Sequence, residues 1–313
     1  MAVLVTGVSR PLGARVADAL RAGPGADRVV GVDHAGMAGT ADGNGAGGDR
    51  YAEIIADAEI DTVVHLDRIH AVDGAGGRVA MREVNVIGTM RLLAACQRSV
   101  TVERIVLGST TEVYGASPDD PAVFTERTSP RGRPGGVYAR DATEIEGYAR
   151  DLGGRRGDIT ITVLRMADIV GGGVRTPLTR YLETPVVPVP LGHDPRLQFL
   201  HIDDAVTVLR RTAVADHPGV FNVAGHGAVM LSRALRRSGR ALLRVPEPGL
   251  RVFGGLAARA GLGGPPRDER GLLRYGRVVD TSAIERELAW SPRYGSAAAF
   301  DAVFGAAPAG VPA

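Results

Sequence analysis

No lysine occurs among the 313 residues: all 37 basic residues are arginine, a bias of the composition as a whole and not of selected positions. Cysteine is nearly absent too. Cys96 is the only one, which rules out an internal disulfide, and its place in the apolar run Leu92-Leu93-Ala94-Ala95-Cys96 makes it a packing residue. No stretch approaches the ~18 apolar residues of a membrane span. Met1 runs straight into the strand-like Ala2-Val3-Leu4-Val5 with no cationic segment before it, so the expected location is cytoplasmic. The formal net charge is only +2, and the arginines are spread along the chain instead of clustered with aromatics, which gives no case for nucleic acid. No internal repeat is visible.

What is present is an alternation of apolar, β-branched runs with Ala/Leu/Arg-rich stretches of helical period, the pattern of a parallel sheet with helices on both faces. Strands are expected at Ala2 to Thr6, Arg28 to Asp33, Thr62 to Leu66, Arg104 to Ser109 and Ile159 to Arg165. Val79 to Arg98 carries no proline and spaces Val84, Ile87, Met90 and Leu93/Ala94 by three and four, which predicts a helix. Gly135 to Leu152 reads as another. Six glycines in fourteen residues make Ala35 to Gly48 a loop. After Gly171 the alternation breaks on five prolines between Pro177 and Pro195, then returns as a strand at Gln198 to Ile202, a helix at Asp204 to Ala213 and a strand at Val220 to Val223. The expected fold is α/β: a Rossmann-type doubly wound parallel sheet (residues 1–170 and 197–225) with a smaller, mostly C-terminal substrate domain (171–196 and 226–307). A frayed tail is expected from Pro308.

Gly7 and Gly13 stand on a strand-to-helix turn, where the N–H groups and positive dipole end of a helix can hold a pyrophosphate. Asp33 closes the second strand 26 residues after Gly7, where a carboxylate accepts ribose hydroxyls and repels a 2′-phosphate. NAD is expected over NADP. The middle glycine of the usual turn is missing; Arg10 stands there, either crowding the pyrophosphate or pairing with it.

Further landmarks stand in order: Val63-Val64-His65-Leu66, Asn85-x2-Gly88-Thr89, Ser109-Thr110-Thr111-Glu112-Val113-Tyr114-Gly115, Tyr138, Leu164-Arg165, Phe199-Leu200-His201-Ile202-Asp203-Asp204, Phe221-Asn222-Val223 and Leu288-Ala289-Trp290-Ser291-Pro292. With the glycine turn they cover roughly residues 2 to 300, and the sequence resembles the extended short-chain dehydrogenase/reductases of the NAD-dependent epimerase/dehydratase family. The resemblance implies Tyr138 as general acid/base and Thr110 as its hydroxyl partner on the reacting oxygen. It implies a cofactor site of Gly7, Arg10, Leu12, Gly13, Asp33, Leu66, Asp67, Asn85 and Tyr138, and a substrate side of Thr111, Glu112 and Asp168. It also implies a homodimer built on the helices Val79 to Arg98 and Gly135 to Leu152.

Besides Arg10, five positions depart from the family pattern. The family's lysine, one turn after the tyrosine, is Ala142; Arg140 points to another face, and a chain without lysine cannot supply one from elsewhere. The asparagine that meets a sugar nucleotide's diphosphate is Asp168, and the arginine that clamps it is Leu197. The Asp of the dehydratases' Asp-Glu pair is Thr111. No histidine pair has metal-ligand spacing, so no metal is expected, and His65 and His201 read as structural. Three readings stay open: an NAD-dependent epimerase, reductase or dehydrogenase of a sugar-like or other small hydroxyl/carbonyl compound; a non-catalytic NAD-binding sensor or assembly protein; and a scaffold that no longer binds cofactor. Asp67, where relatives carry alanine, adds a negative charge that Arg10 is placed to balance.

Overall fold

The computed structural model describes residues 1–33, 46–69, 77–130, 136–246, 249 and 270–305, with backbone alone at 46–49. Of the loop expected at 35–48, residues 35–45 lie outside them, as do Gly135 and the tail from Pro308; 46–48 are not loop but the first turn of a helix, whose amphipathic stretch lies further along and carries the two glycines with it.

Six parallel strands form the central sheet in the order β10-β5-β4-β3-β1-β2: β1 (Ala2–Thr6), β2 (Arg28–Val32), β3 (Thr62–His65), β4 (Arg104–Thr110), β5 (Thr160–Met166) and β10 (Gly219–Val223). The expected strands are all present within a residue or two; Val220 to Val223 re-enters this sheet as expected, whereas Gln198 to Ile202 forms the short strand Phe199–His201, which pairs with Asp168–Val170 outside it. Successive β1 residues point to opposite faces, and both faces are covered, so Val3, Leu4 and Val5 are all buried. Val3 and Val5 pack with Val64, Val106 and Leu164 beneath α1 (Pro11–Ala22) and the later helix Ile202–Val214. Leu4 faces the other way, with Val63, Ile105 and Val163, against α2 (Ala46–Asp57), the helix Thr89–Arg98 and the helix Val137–Arg155. Each such side chain contributes about 1.5–3 kcal/mol by leaving water. Cys96 is fully buried in the second cluster, and burial pushes its thiol up to about 12, as a packing residue requires.

The helix expected over Val79 to Arg98 is interrupted. It runs as α3 (Arg78–Arg82), a wide π turn over Glu83–Gly88 and α4 (Thr89–Arg98). Side-chain periodicity does not report such a turn, because one surplus residue shifts the stripe without erasing it. Helix α5 (Val137–Arg155) packs alongside, tied by Arg78 to Asp141 in a two-pronged pair at 2.7 Å and by Arg82 to Glu144 at 2.8 Å.

The remaining elements are β6 (Asp168–Val170), α6 (Pro177–Leu182), β7 (Val186–Pro190), β8 (Arg196–Leu197), β9 (Phe199–His201), α7 (Ile202–Val214), β11 (Val229–Met230), α8 (Leu231–Arg237), β12 (Ala241–Val245), α9 (Arg270–Tyr275), α10 (Ser282–Leu288) and α11 (Ser296–Phe304). Three two-stranded ladders join β6 to β9, β7 to β12 and β8 to β11. A third apolar cluster, centred on Leu178, Tyr181, Phe199, Leu235 and Phe300, underlies them. No helix of the described residues is long and apolar enough to cross a membrane.

Sheet order sets where a ligand can go. The chain runs from β1 to β2 on one side and then returns to β3 on the other, so a crevice opens at the carboxyl ends of β1 and β3.

Candidate functional site

A cleft open to solvent occupies that crevice. Its wall is made by residues at or just beyond four strand ends: Arg10, Pro11, Leu12 and Gly13 after β1; Leu66 and Arg68 after β3; Ser109, Thr110 and Glu112 at the end of β4; and Met166 to Ile169 from the last residue of β5 onward. Tyr138 enters from the first turn of α5, and Val174 to Thr176 close the far side.

The turn after β1 requires both of its glycines. Gly7 has φ +81°, and a Cβ there would stand 2.9 Å from the Asp67 backbone; one on Gly13 would stand 2.1 Å from the Gly7 carbonyl. Arg10 needs no such freedom, since its backbone is extended (φ −99°, ψ 151°). It caps α1 with no side-chain hydrogen bond, and Pro11 has no N–H. The first-turn donors of α1 therefore face the cleft at a helix end that carries no acidic residue, the arrangement a pyrophosphate fits.

Asp33 reaches this turn from the end of β2. Its two carboxylate oxygens accept from the Ser9 N–H at 3.0 and 3.1 Å, and Oδ1 also accepts from the Ser9 hydroxyl at 2.9 Å. Arg10 Nε lies 3.5 Å from Asp67 Oδ1, the balance of charge expected there.

A buried chain of hydrogen bonds fixes the strand ends. Thr6 Oγ1 accepts from the Leu66 and Asp67 N–H groups at 3.0 and 3.2 Å. Its own hydrogen goes to His65 Nδ1 at 2.7 Å, so His65 Nε2 carries the proton donated to Thr89 Oγ1, which in turn donates to the Asn85 carbonyl. His65 is thus a structural bridge. His201 is one too, accepting from the Asp203 N–H and stacking on Tyr294 at 4.0 Å. Among the described residues no His/Cys/Asp/Glu cluster could hold a metal.

Of the residues expected from the sequence, Arg10, Leu12, Gly13, Leu66, Thr110, Glu112, Tyr138 and Asp168 meet on the cleft wall. Gly7, Asp33 and Asp67 stand behind the turn. Asn85 is off the wall: fully buried in the π turn, it clasps Ile69, accepting from its N–H at 2.8 Å and donating to its carbonyl at 3.0 Å, and reaches Asp141 at 3.3 Å. Thr111 is off the wall as well, its hydroxyl oxygen accepting from Arg277 Nε at 3.2 Å.

Tyr138 is 7% exposed, and burial pushes its hydroxyl up to about 12. The charge of Arg68 pulls the other way, and Glu112 adds to the rise. Ala142, one turn along α5, is buried beneath it, and Arg140 is exposed on another face as its spacing required. Asp168 holds its proton above the usual carboxylate range because burial penalises its charge, against a smaller opposing pull from Arg277 at 3.9 Å. Thr110 caps the short turn Thr111–Tyr114, accepting from the Glu112 N–H.

Sequence reasoning passed over Arg68, Arg175, Arg277 and Glu146. Arg68 carried a signal: a charge directly after two residues already assigned to the site. Glu146 carried one too, falling among the buried Tyr138, Ala142, Ile145 and Ala149 of α5. Arg277 lies 166 residues from its partner Thr111, and no local pattern joins them.

Comparison with known proteins agrees with the fold. The sequence model of the NAD dependent epimerase/dehydratase family matches residues 3–224. An uncharacterized protein of Mycobacterium tuberculosis is 40% identical over 311 residues, covering 96% of this chain and 83% of its own length. UDP-glucose 4-epimerase of Thermus thermophilus, solved with NAD, superposes with a TM-score of 0.70 at 20% identity over 96% of each chain. UDP-glucuronic acid 4-epimerase of Bacillus cereus, solved with UDP-glucuronic acid and NAD, gives 0.70 at 19% identity over 97% of this chain and 98% of its own. At those identities the likeness to the two solved structures is one of fold.

Proposed function

The chain belongs to the NAD dependent epimerase/dehydratase family, and on that premise we propose that it holds NAD in the cleft and acts as an oxidoreductase or isomerase on a sugar-like or other small hydroxyl/carbonyl compound. The observation that carries this reading is the convergence on one wall of an uncapped helix N-terminus, a glycine turn and the hydroxyls of Tyr138 and Thr110.

NAD, when bound, takes hydride from a carbinol carbon or returns it to a carbonyl. The chain's own groups do the rest. First-turn N–H groups of α1 receive the pyrophosphate. Asp33, already fixed by Ser9, offers its remaining lone pairs to ribose hydroxyls. Tyr138 is protonated at neutral pH, so it donates a hydrogen bond, and then a proton, to a carbonyl oxygen more readily than it removes one. Thr110 stands on the same wall for that oxygen, and Glu112 and Asp168 meet the substrate. No amine can relay the proton onward, since Ala142 stands where the lysine is expected and the chain has none. The substrate's diphosphate, if it carries one, meets Asp168 without the asparagine or arginine expected there.

The proposal includes the division into residues 1–170 with 197–225 and 171–196 with 226–307. It also includes a homodimer through α3, α4 and α5, where Val79 is 84% and Met90 40% exposed; light scattering tests the dimer.

The central test has two parts. Mass spectrometry of the purified protein after denaturation should release NAD, or NAD added to ligand-free protein should raise its melting temperature. A panel of nucleotide sugars and small polyols should then give net NADH absorbance for an oxidoreductase, or a converted stereoisomer without net NADH for an isomerase, at a rate that Tyr138→Phe reduces a hundredfold or more, the range of a general acid or base. Absence of any NAD binding overturns the proposal; binding with no hydride transfer that responds to Tyr138→Phe favours a sensor or assembly role.

A further inference from the structure

Arg68 is 4% exposed, yet none of its three guanidinium nitrogens makes a hydrogen bond of good geometry among the described residues, and its one polar neighbour of note is the Tyr138 hydroxyl. It is not adrift. The backbone before it is fixed by Thr6, which accepts from the Leu66 and Asp67 N–H groups, and the backbone after it by Asn85, which grips both polar groups of Ile69. The side chain held between these two clamps lines the cleft, on the same wall as Tyr138 and Thr110. The guanidinium stands beside the Tyr138 hydroxyl, where its charge and a loose side-chain hydrogen bond oppose the larger effect of burial, so it belongs to the reacting end of the wall as well as the phosphate end.

A guanidinium presents five N–H donors in a planar fork and does not shed its proton, so burial without acceptors is heavily unfavourable. Of the other buried arginines among the described residues, Arg165 is bonded to Glu146 and Tyr114, and Arg277 donates from Nε to Thr111 while its Nη2 has no hydrogen-bond partner and lies 3.9 Å from Asp168; Arg68 alone of the three has no well-formed hydrogen bond on any guanidinium nitrogen. The wall around Arg68 offers carboxylates at Glu112 and Asp168, and neither pairs with it.

We propose that Arg68 is an oxyanion subsite: its fork takes two oxygens of a carboxylate or phosphate on a ligand bound beside Tyr138 and Thr110. This deepens the reading of the cleft given under Proposed function and rests on it. Two sources could supply that chemistry, the phosphates of the cofactor or an acidic group on the substrate, and the test separates them.

Titration calorimetry and thermal melting would be run on wild type, Arg68→Met, Arg68→Gln and Arg68→Lys with four probes: NAD, UDP-glucose, UDP-glucuronic acid and inorganic phosphate. Ligand-free Arg68→Met or Arg68→Gln should melt a few degrees above wild type, because a buried unpaired charge has been removed. Each should bind at least one oxyanion probe tenfold or more weakly than wild type, with Arg68→Lys between. Loss confined to NAD assigns the subsite to the cofactor phosphates. Loss of the preference for UDP-glucuronic acid over UDP-glucose assigns it to a substrate carboxylate. Wild type that binds phosphate or UDP-glucuronic acid but not NAD removes the cofactor reading and leaves the subsite in place. Unchanged affinities, a wild type that binds none of the four, or neutral variants that melt below wild type or fail to fold overturn the subsite, because Arg68 would then be structural or satisfied by water.

Discussion

Arg165 and Glu146 meet at 2.6 Å beneath the cleft, each side chain 2% exposed, with Arg165 Nη1 donating to the Tyr114 hydroxyl at 2.9 Å. Ser109, on the cleft wall, donates to the same carboxylate, and Tyr114 donates on to Asn222 at 2.7 Å. A buried pair of this kind is stable only while both members remain.

Arg165→Met should therefore destabilise the fold by about 3–5 kcal/mol, because it leaves the Glu146 carboxylate buried and unmatched. Replacing both, as Arg165→Met with Glu146→Leu, should recover much of the loss. Urea unfolding of the three variants measures it; a double variant no better than the single one would refute the pairing.

Asp33 and Ser9 yield a second expectation. Asp33→Ala removes the acceptor that holds the turn and the group that offers itself to ribose hydroxyls. NAD affinity should fall about tenfold to a hundredfold, the range of ~1.5–3 kcal/mol for hydrogen bonds to a charged group. Ser9→Ala, which keeps the backbone bond to Asp33, should lose much less. Calorimetry with NAD reads both, and equal losses would show that the hydroxyl, not the carboxylate, secures the turn.

The Tyr138 hydroxyl, pushed up to about 12 by burial, is almost wholly protonated at neutral pH. Any turnover that needs its phenolate should rise close to tenfold per pH unit from neutral toward alkaline conditions. Turnover that needs the phenol should stay flat over the same range. A pH profile run in both hydride directions separates them, and a flat profile for oxidation would show that Tyr138 does not remove the proton.

Asp168 sets a dependence of stability on pH. Burial makes the folded state hold this proton more tightly than the unfolded chain, whose carboxyl titrates near 3.8. The wild type therefore loses stability as pH rises from that value through the raised folded one. Asp168→Asn lacks this dependence, so its melting temperature should gain on that of wild type between pH 4 and 7. A gap that narrows instead would mean that Arg277 holds Asp168 ionised.

Much of this arrangement was legible from residues. The alternation of β1, the glycine turn and the position of Asp33 follow from short-range rules, and the structure places them within a residue or two of expectation. Asn85 was read for its place in a motif, but its amide serves Ile69 and Asp141, 16 and 56 residues away. Thr111 likewise turns to Arg277, brought in by a segment beyond β10. Such choices depend on which partners the tertiary fold delivers to a side chain with several possible bonds. Periodicity and motif spacing carry no information about them.

The π turn between Arg82 and Thr89 has a bearing on how this fold can change length. A surplus residue in a helix is an insertion held in place, and deleting one position within Glu83–Gly88 would close the turn to ordinary winding and rotate α3 by about 100° against α4. Arg78 and Arg82 would swing away from Asp141 and Glu144, and Asn85 from Ile69. The residue count of a helix that contributes nothing to the described cleft wall thereby bears on how the backbone beside Arg68 is held.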